Sequence, residues 1–382
     1  VTEAAARGVA ILGPAPPDRG GIARETALLA EELGRRGPTA WFTFSRRYPR
    51  WLDPRRFDVD PGLPESSAIP ILDYASPLSW KRTAQAIAGR SPRAVVVPWW
   101  TAFWGLPDRA ILRRVAALSP RTRRVLLCHN VEDHEGGAFR KFLAMGAFLA
   151  ADAFVAHAAA DRERLERLAP GRPTVVLAHP AASGPGSPAS RHDARRSLGL
   201  AESGPLVLFL GLVRRYKGVD LLLAAAPEIV RRTRATIAIV GEVFPDARDL
   251  LRRAELSPVR ERILWKDAYV SEEEMALWLA ACDVVALPYR AISGSGIAAR
   301  AFAAGRPVAA AAVGGLVDAV EPGGTGELFP PGDAAALAQA VETVLARGDD
   351  AYAPGLVRAA ERASWPTYVD ALLGFLDSME AR

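Results

Sequence analysis

Residues 206–218, LVLFLGLVRRYKG, run from five consecutive apolar positions into a basic turn bounded by Gly211 and Gly218, and the helical spacing of VDLLLAA follows. A strand that passes through glycine into a helix leaves backbone N–H groups and the positive end of the helix dipole exposed, an arrangement suited to an anion. Lys217 marks this turn out further. The chain has four lysines (Lys81, Lys141, Lys217, Lys266) among forty-eight basic residues, so arginine is its ordinary cation and a lysine here is a departure. Arg214, Arg215 and Lys217 also fit an arginine-rich surface loop, and the remainder of the chain has to decide between the two.

Outward from this turn, short apolar runs alternate with helical patterns. Runs at 9–12, 94–97, 125–128, 153–155 and 175–177 precede it, and runs at 237–240, 262–264, 284–287 and 308–310 follow it. In 21–36, Ile22, Thr26, Leu29 and Leu33 share one helical face. Strands alternating with helices imply parallel sheets with crossovers on both faces. A chain of 382 residues exceeds what one core usually holds, so two domains are expected. The stretch 181–192, AASGPGSPASRH, has the composition of a linker. The expected organisation is an α/β domain at 1–182, a second at 183–363, and a final helix at 364–382 that packs back towards the first, with Tyr368, Leu372, Leu373 and Leu376 at helical spacing. Ser271 with Glu274 forms a capping box, and Asp333 caps the helix after PPGD. Two Rossmann-like halves of this kind present a cleft at the carboxyl ends of their strands, where ligands of open α/β sheets bind.

Composition narrows the classes of function. Half of the residues are apolar and about a quarter charged, the balance of a globular protein. The longest apolar stretches, 142–151 and 307–317, are too short for the ~20 residues of a membrane span. The opening VTEAAARGVAILG lacks the pattern of a signal peptide, so a cytoplasmic protein is expected. A net charge of +5 spread among interleaved acids gives little support to nucleic-acid binding. Cys128 and Cys282 each border an apolar run and read as small hydrophobes, and no His or Cys cluster has metal-ligand spacing.

Three further groups could carry chemistry. GPAPPDRGGI at 13–22 places Gly20 and Gly21 at a helix start, although neither the dinucleotide fingerprint nor the P-loop pattern is present. Ser293, Gly294, Ser295 and Gly296 lie where a strand gives way to a helix, so that backbone and hydroxyl donors could converge on a phosphate; a plain flexible turn has the same composition. PWWTAFW, with Trp99, Trp100, Phe103 and Trp104, and SRRYPRW, with Arg46, Arg47, Tyr48, Arg50 and Trp51, combine aromatic rings with guanidinium groups. Such a combination suits a sugar or a lipid headgroup, and equally a core cluster beside a solvated loop.

The second half resembles the family 4, retaining, nucleotide-sugar-dependent glycosyltransferases, which have the GT-B fold of two Rossmann-like domains facing a central cleft. The resemblance is carried in order by GLVRRYKGVDLLLAA from Gly211, ATIAIVGE from Ala235, ACDVVALPYR from Ala281, and the run at 301–333. In the first half it rests on the GG turn, on LLCHNV ending at Val131, and on SWPTY. It implies that Lys217 with a nearby arginine neutralises the leaving diphosphate. Leu212 stands where much of the family has that arginine, so Arg214 or Arg215 has to substitute. It implies further that His129 lines the donor-sugar pocket facing the acceptor, that Gly20, Gly21 and Gly211 admit the diphosphate, and that Glu242 at a strand end contacts the donor. A pair of glutamates eight positions apart, usual in the family, is replaced by Ile292 and Arg300. Isoleucine cannot hydrogen-bond and arginine only donates. Either the chain belongs to a subgroup that grips the donor through Ser293–Gly296 and Arg300, or it has lost turnover.

The expected activity is transfer of a hexosyl group, with retention, from a nucleoside diphosphate sugar to a hydroxyl acceptor such as a lipid-linked saccharide or glycan, without metal or other cofactor. Trp99, Trp100 and Trp104 are the candidate acceptor-binding residues, with peripheral contact at the inner face of the membrane. A non-catalytic nucleotide-sugar-binding subunit is the main alternative, and a nucleotide-sugar epimerase a lesser one.

Overall fold

The computed structural model describes residues 8–18, 20–49, 66–131, 138–181 and 190–380. Arg50, Trp51 and most of the linker-like stretch, 182–189, lie outside them. The chain divides into two compact units. One runs to Leu177 and resumes at Trp365; the other is Ala178–Ser364.

The first unit is built on a seven-stranded sheet of order β3-β2-β1-β4-β5-β6-β7. Its strands are β1 Val9–Leu12, β2 Thr39–Arg46, β3 Ile69–Asp73, β4 Ala94–Trp99, β5 Arg123–Cys128, β6 Ala153–Ala156 and β7 Thr174–Val176. The second unit has a six-stranded sheet of order β10-β9-β8-β11-β12-β13. These are β8 Leu206–Leu210, β9 Thr236–Val240, β10 Ile263–Lys266, β11 Val284–Leu287, β12 Val308–Ala311 and β13 Gly326–Phe329. Every ladder in both sheets is parallel.

β1, β4, β8 and β11 are buried along their whole lengths. Helices cover both faces of a parallel sheet, so its central strands cannot alternate and appear in the sequence as continuous apolar runs. β2, β3 and β13 escape that pattern. β2 is buried only in its middle, β3 is a half-exposed edge of the first sheet, and β13, an edge of the second sheet, carries the half-buried Glu327.

In each unit the winding direction reverses once, between β1 and β4 and between β8 and β11. Ligands of doubly wound sheets bind outside the carboxyl ends of the strands at that reversal.

The last helix, Trp365–Glu380, is part of the first unit's core. Trp365, Tyr368, Val369, Leu372, Leu376 and Met379 pack in one cluster with Ile11, Val96, Val125 and Leu127. Arg36, at the end of the helix Gly21–Arg36, donates to Asp370 at 2.6 Å and to the Pro366 carbonyl at 3.2 Å. Arg93 and Arg123 reach Asp377 and the Met379 carbonyl at the other end of the helix. Among the described residues no helix is long and apolar enough to cross a membrane.

Candidate functional site

In the second unit the backbone turns sharply where β8 ends. Gly211 has φ +114° and Gly218 φ +68°. A Cβ on Gly218 would lie 1.8 Å from the Pro288 carbonyl oxygen, and one on Gly241, which follows β9 with φ +149°, would lie 1.9 Å from the Gly211 oxygen. These glycines let the ends of β8, β9 and β11 meet backbone to backbone, which no other residue permits. The short 3₁₀ turn Arg215–Lys217 and the helix Val219–Thr233 then follow.

Lys217 Nζ lies 5.1 Å from the centroid of the Tyr289 ring, close enough for a cation–π contact. It also lies 3.4 Å from the point where a Cβ on Gly211 would sit, and Ile297 Cγ1 is 3.8 Å from the same point. The ammonium is therefore brought to the start of the helix Gly296–Ala303. Ser295 caps this helix, its hydroxyl accepting from the Ala298 N–H at 3.2 Å. The N–H groups of Gly296 and Ile297 find no acceptor among the described residues, and no carboxylate there pairs with Lys217. A lysine charge and open amides thus meet at the carboxyl ends of β8 and β11.

The two arginines of the turn are held elsewhere. Arg214 stacks on Phe244 at 4.6 Å, with its Nε 3.3 Å from Asp246. Arg215 donates to the Asp246 carbonyl at 2.6 Å and to Asp249 at 2.5 Å. Carboxylates of the segment after β9 thus lie beside both guanidinium groups. Glu242 is half-buried at the end of β9, where its carbonyl accepts from the Val213 N–H.

In the SGSG segment the Gly296 N–H is open among the described residues, while the Ser295 hydroxyl is engaged in the helix cap. Ser293 is buried, with its carbonyl accepting from Gly315 N–H at 2.9 Å, and the Ser295 hydroxyl is used in the cap. Gly294 and Gly296 are half-exposed. Arg300 forms a two-pronged pair with Glu272, its second terminal nitrogen at 3.2 Å, which neutralises the guanidinium expected to hold the donor. Ile292 packs against the unit's core. Tyr289, which lies just past β11 and is nearly fully buried, was not among the residues singled out by sequence; its only signal there is a ring directly after a strand.

In the first unit, Gly20 has φ +123° and Gly21 opens the helix Gly21–Arg36, and a Cβ at either would meet nothing within 4 Å. His129 follows β5, where its N–H donates to the Trp99 carbonyl at 2.8 Å. Its Nδ1 is 3.4 Å from Glu25 on the helix that Gly21 opens, and its ring centroid is 5.4 Å from that of His157. The glycine turn and His129 are thereby linked through one carboxylate.

The aromatic segment is corrected. Trp99 and Trp104 are each 2% exposed. Trp99 packs on Phe148, and Trp104 on Phe44 and Phe103. Neither offers a ring face to an acceptor. Trp100 is half-buried and donates from Nε1 to the Tyr48 hydroxyl at 3.1 Å. Arg47 pairs with Asp18 and Arg46 with Asp73. Cys128 and Cys282 are buried thiols. Burial raises both pKa values, that of Cys282 to about 12.

Residues 204–347 match the family described as glycosyl transferases group 1. The D-inositol 3-phosphate glycosyltransferase of Nocardioides sp. (strain ATCC BAA-499 / JS614) is 34% identical over 238 residues, which are 56% of this chain and 51% of that protein. The chain spans about half the length of the curated relatives it matches. Among solved structures, sucrose-phosphate synthase from Thermosynechococcus elongatus aligns with a TM-score of 0.74 at 20% identity, covering 98% of this chain and 100% of that one. Anabaena HepE in complex with UDP-glucose aligns with a TM-score of 0.73 at 17% identity, covering 97% and 99%. These neighbours establish the fold, GT-B, with Rossmann-like parallel sheets. The glycosyltransferase match covers every element that shapes the Lys217 site, from β8 to β12.

Proposed function

We propose that this chain is a retaining glycosyltransferase that moves a hexosyl group from a nucleoside diphosphate sugar to a hydroxyl acceptor. The observation that carries the reading is Lys217. It has no carboxylate partner among the described residues and sits at the open N-terminus of Gly296–Ala303, at the winding reversal of the second sheet. A diphosphate there would accept hydrogen bonds from the ammonium and from the Gly296 and Ile297 amides. These donors are in place before reaction, so they stabilise charge as it develops on the leaving oxygen. The bond between the anomeric carbon and that oxygen breaks, with its electron pair passing to the phosphate. The acceptor oxygen bonds to the same face of the sugar, and its proton goes to the departing phosphate. The UDP-glucose in the HepE complex supports a nucleotide-sugar donor, and the name of the Nocardioides relative supports glycosyl transfer.

Lys217, rather than a metal, neutralises the diphosphate in this reading, so transfer is expected to persist in excess EDTA. A lipid-linked saccharide or glycan is the proposed acceptor, which would draw a cytoplasmic protein to the inner face of the membrane. The deciding test is a transfer assay with a panel of donors and acceptors, following Lys217→Ala: loss of transfer with the fold retained is expected, and an unchanged rate refutes the assignment.

One observation favours a second reading, a non-catalytic sugar-nucleotide-binding subunit. Ile292 packs on the core and Arg300 is neutralised by Glu272, so neither offers an acceptor to sugar hydroxyls. Calorimetric binding of donors without transfer or donor hydrolysis across a wide acceptor set would establish it.

A further inference from the structure

Two neighbouring helices of the first unit, Gly105–Leu118 and Ala138–Phe148, carry a surface that the transfer site does not use. They pack closely at small residues. A Cβ on Gly105 would lie 2.4 Å from the Leu143 oxygen, and one on Gly146 would lie 3.0 Å from Arg109 Cδ. Large apolar side chains face outward beside this seam: Phe142 is 65% exposed, Leu149 52% and Leu106 49%. Phe142 and Leu149 are seven residues apart, and the Leu149 N–H still bonds to the Met145 carbonyl, so the two share one helical stripe.

The exposed charge on these helices has a single sign. Arg109, Arg113, Arg114 and Lys141 have no ion-pair partner among the described residues, and Arg140 is exposed beside Lys141. Asp108 is the only acid on either helix; it is 4% exposed, and burial raises its pKa well above the usual carboxylate range. The first of these helices begins six residues after the carboxyl end of β4, the end of the sheet that also bears His129 after β5.

We propose that this face docks on an anionic lipid surface, with Phe142 and Leu149 entering the headgroup–acyl boundary and Arg113, Arg114 and Lys141 meeting lipid phosphates. Apolar residues on a helix face with unopposed basic residues beside them are the composition of an interfacial helix. A protein partner fits less well, since interface cores are depleted in charged residues, lysine among them. The surface replaces the Trp99–Trp104 cluster, which is core. The inference rests on the proposed transferase reading only for its purpose, to bring His129's end of the sheet to a lipid-linked acceptor.

The test is sedimentation of the full chain with vesicles of phosphatidylcholine alone and of phosphatidylcholine mixed with phosphatidylglycerol. Binding to the mixed vesicles alone, and its release by salt, are expected. F142S/L149S should weaken binding at least about tenfold, and R113Q/K141Q on the order of twentyfold, at about fivefold for each charge near the surface. F142W should retain binding and show a blue-shifted fluorescence on insertion, which guards against a serine variant that misfolds. No vesicle binding by the wild-type chain, or equal binding by all variants, overturns the proposal. So does a shift of F142S/L149S from a larger to a smaller species in size exclusion, which would assign the face to a second copy of the chain. Transfer to a soluble acceptor should be unchanged in F142S/L149S. The transferase reading fails instead if Lys217→Ala leaves transfer intact, an outcome that vesicle binding does not affect.

Discussion

Each unit carries glycines after its first strand, yet the two sets meet opposite surroundings. In the second unit a Cβ on Gly218, which leads into the first crossover helix, would lie 1.8 Å from backbone, whereas in the first a Cβ on Gly20 or Gly21 would meet nothing within 4 Å. One set of glycines is needed so that strand ends can touch. The other leaves room that the protein itself does not fill. The same residue type at matching topological positions therefore serves packing in one unit and access in the other, and only the neighbouring atoms tell the two apart.

The first way to break this comparison is at the cation. Lys217→Ala is expected to lower kcat by roughly 10²–10³, the usual loss when one donor to a developing oxyanion is removed. Far-UV circular dichroism should be unchanged and nucleotide binding weakened; full activity would end the assignment.

Gly218→Ala should cost about 3 kcal/mol or more of stability, since it combines a left-handed φ with a carbonyl contact that forces the strand ends apart. Urea unfolding measures it. Gly21→Ala should leave stability unchanged or raise it by ~0.5 kcal/mol, because alanine suits a helix start better than glycine, while raising the donor KM. If both variants behave alike, the two glycine sets do not differ in the way described.

Arg215→Ala should change transfer by less than about threefold and stability by less than ~1 kcal/mol, because its ion pair with Asp249 is largely exposed. A large loss of rate would restore Arg215 to the site.

The smallest effect reads the units separately. Cys128 belongs to the first and Cys282 to the second, both buried, so thiol labelling along a urea series should report the opening of each unit by itself. The Cys282 thiol ionises at about 12 when folded against an ordinary 9. Between these values the unfolded chain holds fewer protons than the folded one, so the stability contributed by this group falls as pH rises. A thiol that reacts with native protein near pH 8 would contradict its burial.

The central strands were legible because burial on both faces leaves an uninterrupted apolar run, and Lys217 stood out because lysine is rare among this chain's arginines. The partners of Arg215 and Arg300 were not. Asp249 and Glu272 lie 34 and 28 residues away in sequence, and only the crossover helices bring them back. Trp99 and Trp104 stayed open to two readings because an aromatic ring at the end of a strand or in the turn after it can face the core or solvent without any change in the local pattern. β2, β3 and β13 were missed because edge and half-covered strands lose the run that marked the others.

The helix Trp365–Glu380 also orders events during synthesis. The ribosome delivers the last piece of the first unit's core only after the whole of Ala178–Ser364 has been made. Until then the apolar floor formed by Ile11, Val96, Val125 and Leu127 is covered only in part, by Leu29 and Leu33 of the helix Gly21–Arg36 among others, so the nascent amino-terminal unit waits incomplete while the later one can already close. A nonsense codon between positions 178 and 365 would leave part of that floor uncovered, and the truncated product is expected to be a substrate for chaperones or proteases rather than a smaller working protein.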